Sequence, residues 1–435
     1  MLQVALNCNH PFPAQQAANC IRQANLEPEI ARKLLVTAAL RKHNLAVEIL
    51  AAASALQQHL DAITLETALQ HMCWCDDRAD ISILDLLGLP AAAQLSSSAV
   101  ERLLLAVFEQ NARSSFSQRV AGRSVYSLCQ LPAAAHISNA VAVQVLEAAM
   151  KKQCRYSSGA PWAEAFCSLP AVQLLSTDDV ASLLQAGVGG HGSELFRELC
   201  RLPAAAHVNC EQVVQMLQET LLHNGIFFAN LRSLLELPAA EQISSKEMQH
   251  LLHIGVASKR QPNVSLLCCQ PAAAALSSDA VARLLATSAQ PGNKQLQELN
   301  VCAQCLCELP GAQQVTSSML LPAVQAAVEN NTFMTLMFIS QLPAAKQFTC
   351  DEVQPILQVA VELGHPDCVC YLSLLPAAQM LGRAAVEPLV QAAAQADKFD
   401  CKTQRVLNNA VSNLPAAREL MHAESWQEML RGLKA

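Results

Sequence analysis

Aromatic residues make up only 4% of this 435-residue chain, glycine occupies only 14 positions, and charged residues amount to 15%. β-Branched and aromatic side chains do not lead the composition, so strands lack the residues that favour them. Long apolar runs are missing too. None approaches the roughly 18 residues that cross a bilayer, and the best, Phe333 to Leu342, is too short. The opening MLQVALNCNHPFPAQQ has no basic n-region, no apolar core of secretory length and no clear Arg- and Ser-rich transit pattern. These absences predict a soluble intracellular protein of cytoplasm or nucleus, an organelle not excluded, with no membrane partner and with reduced thiols. The 18 cysteines are then not a disulfide framework. No glycine-rich phosphate loop, nucleophile elbow, Ser/His/Asp set or carboxylate pair is present. The expectation is therefore no enzyme, no cofactor and no small-molecule substrate.

Hydrophobic residues make up 52% of the chain, and Ala, Leu and Gln dominate. These residues lose little freedom in a helix. The 29 basic and 36 acidic residues leave a net charge of −7, which supplies no long-range attraction for nucleic acid or an anionic membrane.

One tetrapeptide, Leu-Pro-Ala-Ala or a near variant, returns along the chain. Its prolines are Pro90, Pro132, Pro170, Pro203, Pro238, Pro271, Pro310, Pro343, Pro376 and Pro415, at intervals of 33 to 42 residues. Four residues before each proline the side chain is apolar, from Leu86 and Leu128 to Leu372 and Val411. Three before it stands Leu, Cys or Ser, and seven before it an apolar residue in nearly every copy. Those offsets share one helical face. The helix should stop near the proline, because the residue before Pro avoids α geometry and Pro donates no hydrogen bond. Whether Pro-Ala-Ala kinks that helix or opens a short one of its own is left open by the pattern.

Five residues after each proline another apolar residue recurs, as in Leu95, Ile137 and Phe348. The next position is Ser96, Ser138, Ser176, Asn209, Ser244, Ser277, Thr316 or Thr349 in eight of ten copies. Side chains of this kind accept from the free N–H groups of a new helix. Ser176 with Asp179, Asn209 with Gln212, Ser244 with Glu247 and Thr349 with Glu352 have capping-box spacing. A stripe such as Val180, Leu183 and Leu184 follows. Alanine after the proline, with Gly311 the exception, points to tight space between neighbouring repeats.

The predicted fold is all-α, a superhelical α-solenoid of about twelve two-helix repeats with a mean period of about 36 residues. Residues 1–80 are read as degenerate N-terminal repeats, 81–420 as the proline-marked array and 421–435 as a capping helix. In the first segment Ile30, Leu34 and Leu35 follow Pro13 as a first unit, and Thr64 caps a helix through Leu69 and Met72. In the last, Trp426, Met429, Leu430 and Leu433 share a face.

In unit length and helix-pair logic this array resembles the α-solenoid group that includes ankyrin, armadillo/HEAT, pentatricopeptide and octotricopeptide repeats. The Thr-Pro-Leu-His opening of ankyrin and a Trp-Ala-Leu signature are missing. The Leu-Pro-Ala-Ala units are also similar to repeats in green-algal proteins, a likeness that brings no function with it. What the group implies is binding of protein or RNA on a repeat surface.

Several residues invite chemistry. Cys129, Cys167, Cys200, Cys268 and Cys307 stand three residues before a repeat proline, where other copies have Leu87, Leu235 or Ser340, so they read as small core side chains. His71, Cys73 and Cys75 are weak metal candidates without the second ligand pair of a structural zinc site. Cys302, Cys305 and Cys307 sit in a predicted helix, Cys368 and Cys370 form a bare C-x-C, and His250 and His253 read as solvated. Between residues 110 and 155, Arg113, Arg119, Arg123, Lys151, Lys152 and Arg155 face a single acid, Glu147, for a local net of +5. This basic ridge is the candidate binding site. Two residues before the proline, a position running from Gly88 and Gln130 to Leu374 and Asn413 varies freely. The reading is a non-catalytic scaffold for protein partners. The alternative is an RNA-binding repeat protein using the ridge, which the net charge and the three Trp and three Tyr disfavour.

Overall fold

The computed structural model describes residues 27–41, 44–72, 79–110, 117–151, 161–189, 193–223, 228–258, 261–290, 302–394 and 401–422. Among them every regular element is helical. They fall into two compact units, Met1–Ala240 and Glu241–Ala435.

Each repeat has three parts. A leading helix, such as Ser193–Cys200 or Phe333–Ile339, ends three or four residues before the proline. The residue before the proline is extended, with φ from −62° to −79° and ψ from 140° to 147°. The proline then starts a separate short helix, which answers the question the sequence left open. It is a 3₁₀ turn in Pro90–Gln94, Pro132–His136, Pro203–His207, Pro238–Gln242, Pro310–Gln314 and Pro343–Gln347. It is one α turn in Pro170–Gln173, Pro271–Ala274 and Pro376–Gln379. Proline suits this first position because its ring fixes φ and its missing N–H would have no helical partner there.

The third part is the capped helix. All four predicted capping boxes form, at Ser176, Asn209, Ser244 and Thr349. Ser277 and Thr316 also accept from the backbone N–H three residues on. Capped helices contain proline at their sixth residue three times running, at Pro322, Pro355 and Pro388, each on the exposed side. At the far end, Asn331 (φ 52°) and Gly364 (φ 69°) turn left-handed. Thr332 N–H then reaches Ala327 O at 2.8 Å and His365 N–H reaches Ala360 O at 2.9 Å, closing Schellman turns.

Within each unit, leading helices stack on leading helices and capped helices on capped helices of the next repeat, and the proline turn sits on the capped helix of the repeat before. In the first unit this relates Ser117–Cys129 to Pro161–Cys167, and in the second Ser278–Ser288 to Ser317–Glu329. The residues four before each proline are wholly buried in all ten copies, and those five after it are at most 6% exposed. Within each unit this buried spine is what stacked hairpins require, and each such side chain contributes about 1.5–3 kcal/mol by leaving water. Polar contacts join the same neighbours. The Asn230 amide donates to Gly187 O, Thr332 Oγ1 to Ala289 O, and His365 Nδ1 meets Val328 O at 2.9 Å, so one connection caps the C-terminus of an earlier capped helix.

The N-terminal segment needs two corrections. Ile30 is 47% exposed, because it lies in the first turn of Pro28–Leu40, off the face formed by Ala31, Leu34, Leu35 and Ala38. Thr64 is not the cap: Asp61 accepts its N–H at 2.8 Å, and the Thr64 hydroxyl donates back to Asp61. Asn44–Ala51, Ser54–His59 and Ala62–His71 then reproduce the three-part repeat without its proline. The expected face of Trp426, Met429, Leu430 and Leu433 lies outside the described residues.

Candidate binding surface

The repeat geometry separates buried from presented positions. Of the residues two before the proline, Gly88, Gln130, Ser168, Arg201, Glu236, Cys269, Glu308, Gln341 and Leu374 are exposed and Asn413 is intermediate. On the capped helices a second exposed row lies six residues after the N-cap: Arg102, Gln144, Ser182, Gln215, His250, Arg283, Pro322, Pro355 and Pro388. This row combines basic side chains, amides, a hydroxyl and prolines, while the spine is aliphatic or Phe.

Side-by-side capped helices leave clefts. In the second unit, Ser245–Ala257 and Ser278–Ser288 flank an open groove of about 600 Å³ lined by Lys246, Gln249, His250, His253, Arg283, Leu284, Ala286 and Thr287. Lys246, His250 and His253 occupy one helix at spacings of four and three, which puts them on a single face. Arg283 comes from the facing helix and pairs with Asp279 at 2.8 Å. A smaller cleft of about 190 Å³ lies between Ser317–Glu329 and Cys350–Glu362, lined by Gln325, Val328, Glu329, Pro355, Ile356 and Val359.

Of the predicted basic ridge, Arg113, Lys152 and Arg155 lie outside the described residues. Arg119 and Lys151 belong to the helices Ser117–Cys129 and Asn139–Lys151, and Arg123 is exposed on the first of these. His71 is exposed at the end of Ala62–His71, while Cys73 and Cys75 lie outside the described residues. Among the described residues no three His, Cys, Asp or Glu side chains are grouped to hold a metal ion.

The cysteines three before the proline behave as core side chains. Cys129 and Cys167 are buried and Cys200, Cys268 and Cys307 partly so. Burial, which disfavours the thiolate, pushes Cys129, Cys200 and Cys307 up to about 12. The same cause raises Cys167 and Cys268 further. Cys368 of the C-x-C pair is likewise raised to about 12. Thiols held protonated in this way are poor nucleophiles and poor metal ligands.

Lys246 and Arg283 are groove residues that the sequence did not single out. His250 and Arg283 are 33 residues apart and both six beyond an N-cap, so aligning the repeats on their caps would have placed them side by side.

No protein-family model and no curated protein matches the chain. Among solved structures, the chain is similar to one described as a "circular tandem repeat protein with novel repeat topology and enhanced subunit contact surfaces", at 12% identity and a TM-score of 0.17, over 99% of this chain and 96% of that one. At that score the fold rests on the chain's own helix packing, and no helix of its described residues is long and apolar enough to cross a membrane.

Proposed function

We propose that this chain is a non-catalytic, soluble intracellular scaffold that binds protein partners on its repeat surface, with residues 1–80 and 421–435 closing the proline-marked array of 81–420. The observation that carries this reading is the contrast between rows. Ten spine positions are aliphatic or Phe and fully buried. The presented row on the capped helices meanwhile runs from Arg102 through His250 to Pro388 with no common chemistry. Buried positions serve stacking of one repeat on the next, and the variable exposed ones are free to recognise something else. The test is capture of partners from the native host lysate by the full chain, compared with a variant carrying Arg102→Ala, Gln144→Ala, Gln215→Ala, His250→Ala and Arg283→Ala. These exposed changes leave the spine intact. Proteins retained by the first and lost by the second support the reading, and an identical set on both refutes it.

The RNA reading draws on one specific observation, the local net of +5 between residues 110 and 155. Salt-sensitive retention of RNA in a gel shift, lost with Arg113→Ala, Arg119→Ala and Arg123→Ala, would replace protein recognition at that stretch. No shift at low salt removes it.

A further inference from the structure

The groove between Ser245–Ala257 and Ser278–Ser288 has a chemistry of its own. It is an open groove of about 600 Å³ whose basic side chains are exposed, a shape that suits a segment laid along it rather than an engulfed small molecule. Four of its lining side chains, Lys246, His250, His253 and Arg283, are basic residues, and none of its described lining residues is a carboxylate. This stands out on a chain whose net charge is −7.

The acids nearest in sequence are engaged elsewhere. Glu247 accepts from the Ser244 hydroxyl at 2.6 Å and from its backbone N–H at 2.9 Å, inside the capping box. Asp279 holds Arg283 at 2.8 Å, but both members are more than half exposed. Such a pair contributes at most about 1 kcal/mol, and a guanidinium has five N–H donors, so Arg283 can take a second anion. From Lys246 to His253 the helix rises about 10 Å, the span of about three residues of extended peptide. Leu284 and Ala286 add apolar wall, and Gln249 and Thr287 add neutral hydrogen-bonding groups.

We propose that this groove binds an extended acidic segment of a partner protein, with successive carboxylates or phosphates of that segment meeting Lys246, the two imidazoles and Arg283. The inference rests on the scaffold reading and names the partner's chemistry. Arg283 is the selective element, because its planar fork suits carboxylate and phosphate oxygens.

The test is fluorescence anisotropy of the full chain with labelled peptides carrying three consecutive glutamates, the same peptide with a central phosphoserine, and the glutamine analogue. Saturable, salt-sensitive binding of the two acidic peptides is expected, weakened about ten-fold by Lys246→Gln with Arg283→Gln and strengthened by Asp279→Asn, which frees Arg283. His250→Gln with His253→Gln should weaken it less, since glutamine still donates. Equal binding of the glutamine peptide overturns the proposal, as does indifference to the double variant. So does competition by inorganic phosphate at the same concentration as the peptide, or tighter binding of a single-stranded oligonucleotide. If lysate partners are retained equally by wild type and Lys246→Gln/Arg283→Gln, the groove assignment falls and the scaffold stands. If neither retains any, the scaffold reading falls as well.

Discussion

Gly311 stands where the other nine repeats have alanine directly after the proline, so replacing it with alanine restores the consensus. At a site that tolerates the methyl group, Gly→Ala stabilises by about 0.4–1 kcal/mol through the unfolded chain. The structure predicts the opposite here. A Cβ on Gly311 would stand 2.6 Å from the Leu276 carbonyl oxygen and 3.1 Å from Val281 Cγ2, both on the preceding repeat. The carbonyl is backbone, next to the Ser277 cap, and cannot rotate away as a side-chain end would. Overpacking of this kind costs about 1–3 kcal/mol, so Gly311→Ala should destabilise by a net 1–2 kcal/mol or thereabouts. Thermal unfolding followed by circular dichroism should show a fall of about 2–4 °C per kcal/mol for a unit of this size. A rise in Tm would refute the close approach, and with it the claim that proline turns seat directly on the capped helix of the neighbouring repeat.

Thr349→Ala removes one half of a capping box and should cost about 1 kcal/mol in urea denaturation. Ser138→Ala, whose hydroxyl lies 3.4 Å from its N–H partner, should cost less. At pH 8 the thiols raised to about 12, Cys129, Cys200 and Cys307, are ionised to about one part in ten thousand. Among the described cysteines a maleimide or disulfide reagent should therefore label exposed Cys269 before those three, and buried Cys129 only on unfolding; prompt labelling of Cys129 would contradict its burial. Glu247 is held below its ordinary 4.5 by hydrogen bonds from the Ser244 hydroxyl and backbone N–H. A depressed carboxyl stabilises the fold above its unfolded value and loses that effect as pH falls through its folded value. The stability difference between wild type and Glu247→Gln should thus be constant at neutral pH and shrink below 4.5; a difference that grows in acid would reverse the assignment.

Local chemistry was the part of the fold legible in the sequence. A cap needs only residues three apart, so Ser176, Asn209, Ser244 and Thr349 could be read directly, and the structure forms each box. The same locality misled at Thr64, because Asp61 and Thr64 are both good capping residues at box spacing, and only the backbone shows which one starts the helix. Spacing alone groups Ile30 with Leu34 and Leu35, whereas burial begins at Ala31. The separate helix after each proline was beyond periodicity, since a kinked helix and an extended residue followed by a new turn share one apolar pattern. The groove was hidden for another reason. His250 and His253 are exposed, as a solvated pair should be, and Arg283 is set beside them only by stacking of capped helices, a relation between repeats rather than within one.

Excising one repeat tests the central claim most directly. Removal of residues 344–376, 33 in all, joins Pro343 to Ala377 at equivalent points of successive units and deletes one capped helix and one leading helix. In a stack where each repeat touches only its neighbours, the shortened chain should keep its helical circular dichroism and melt cooperatively at a somewhat lower temperature. An unfolded or aggregated product, from a cut made in register with the repeat, would contradict the account of this unit as a stack of interchangeable hairpins.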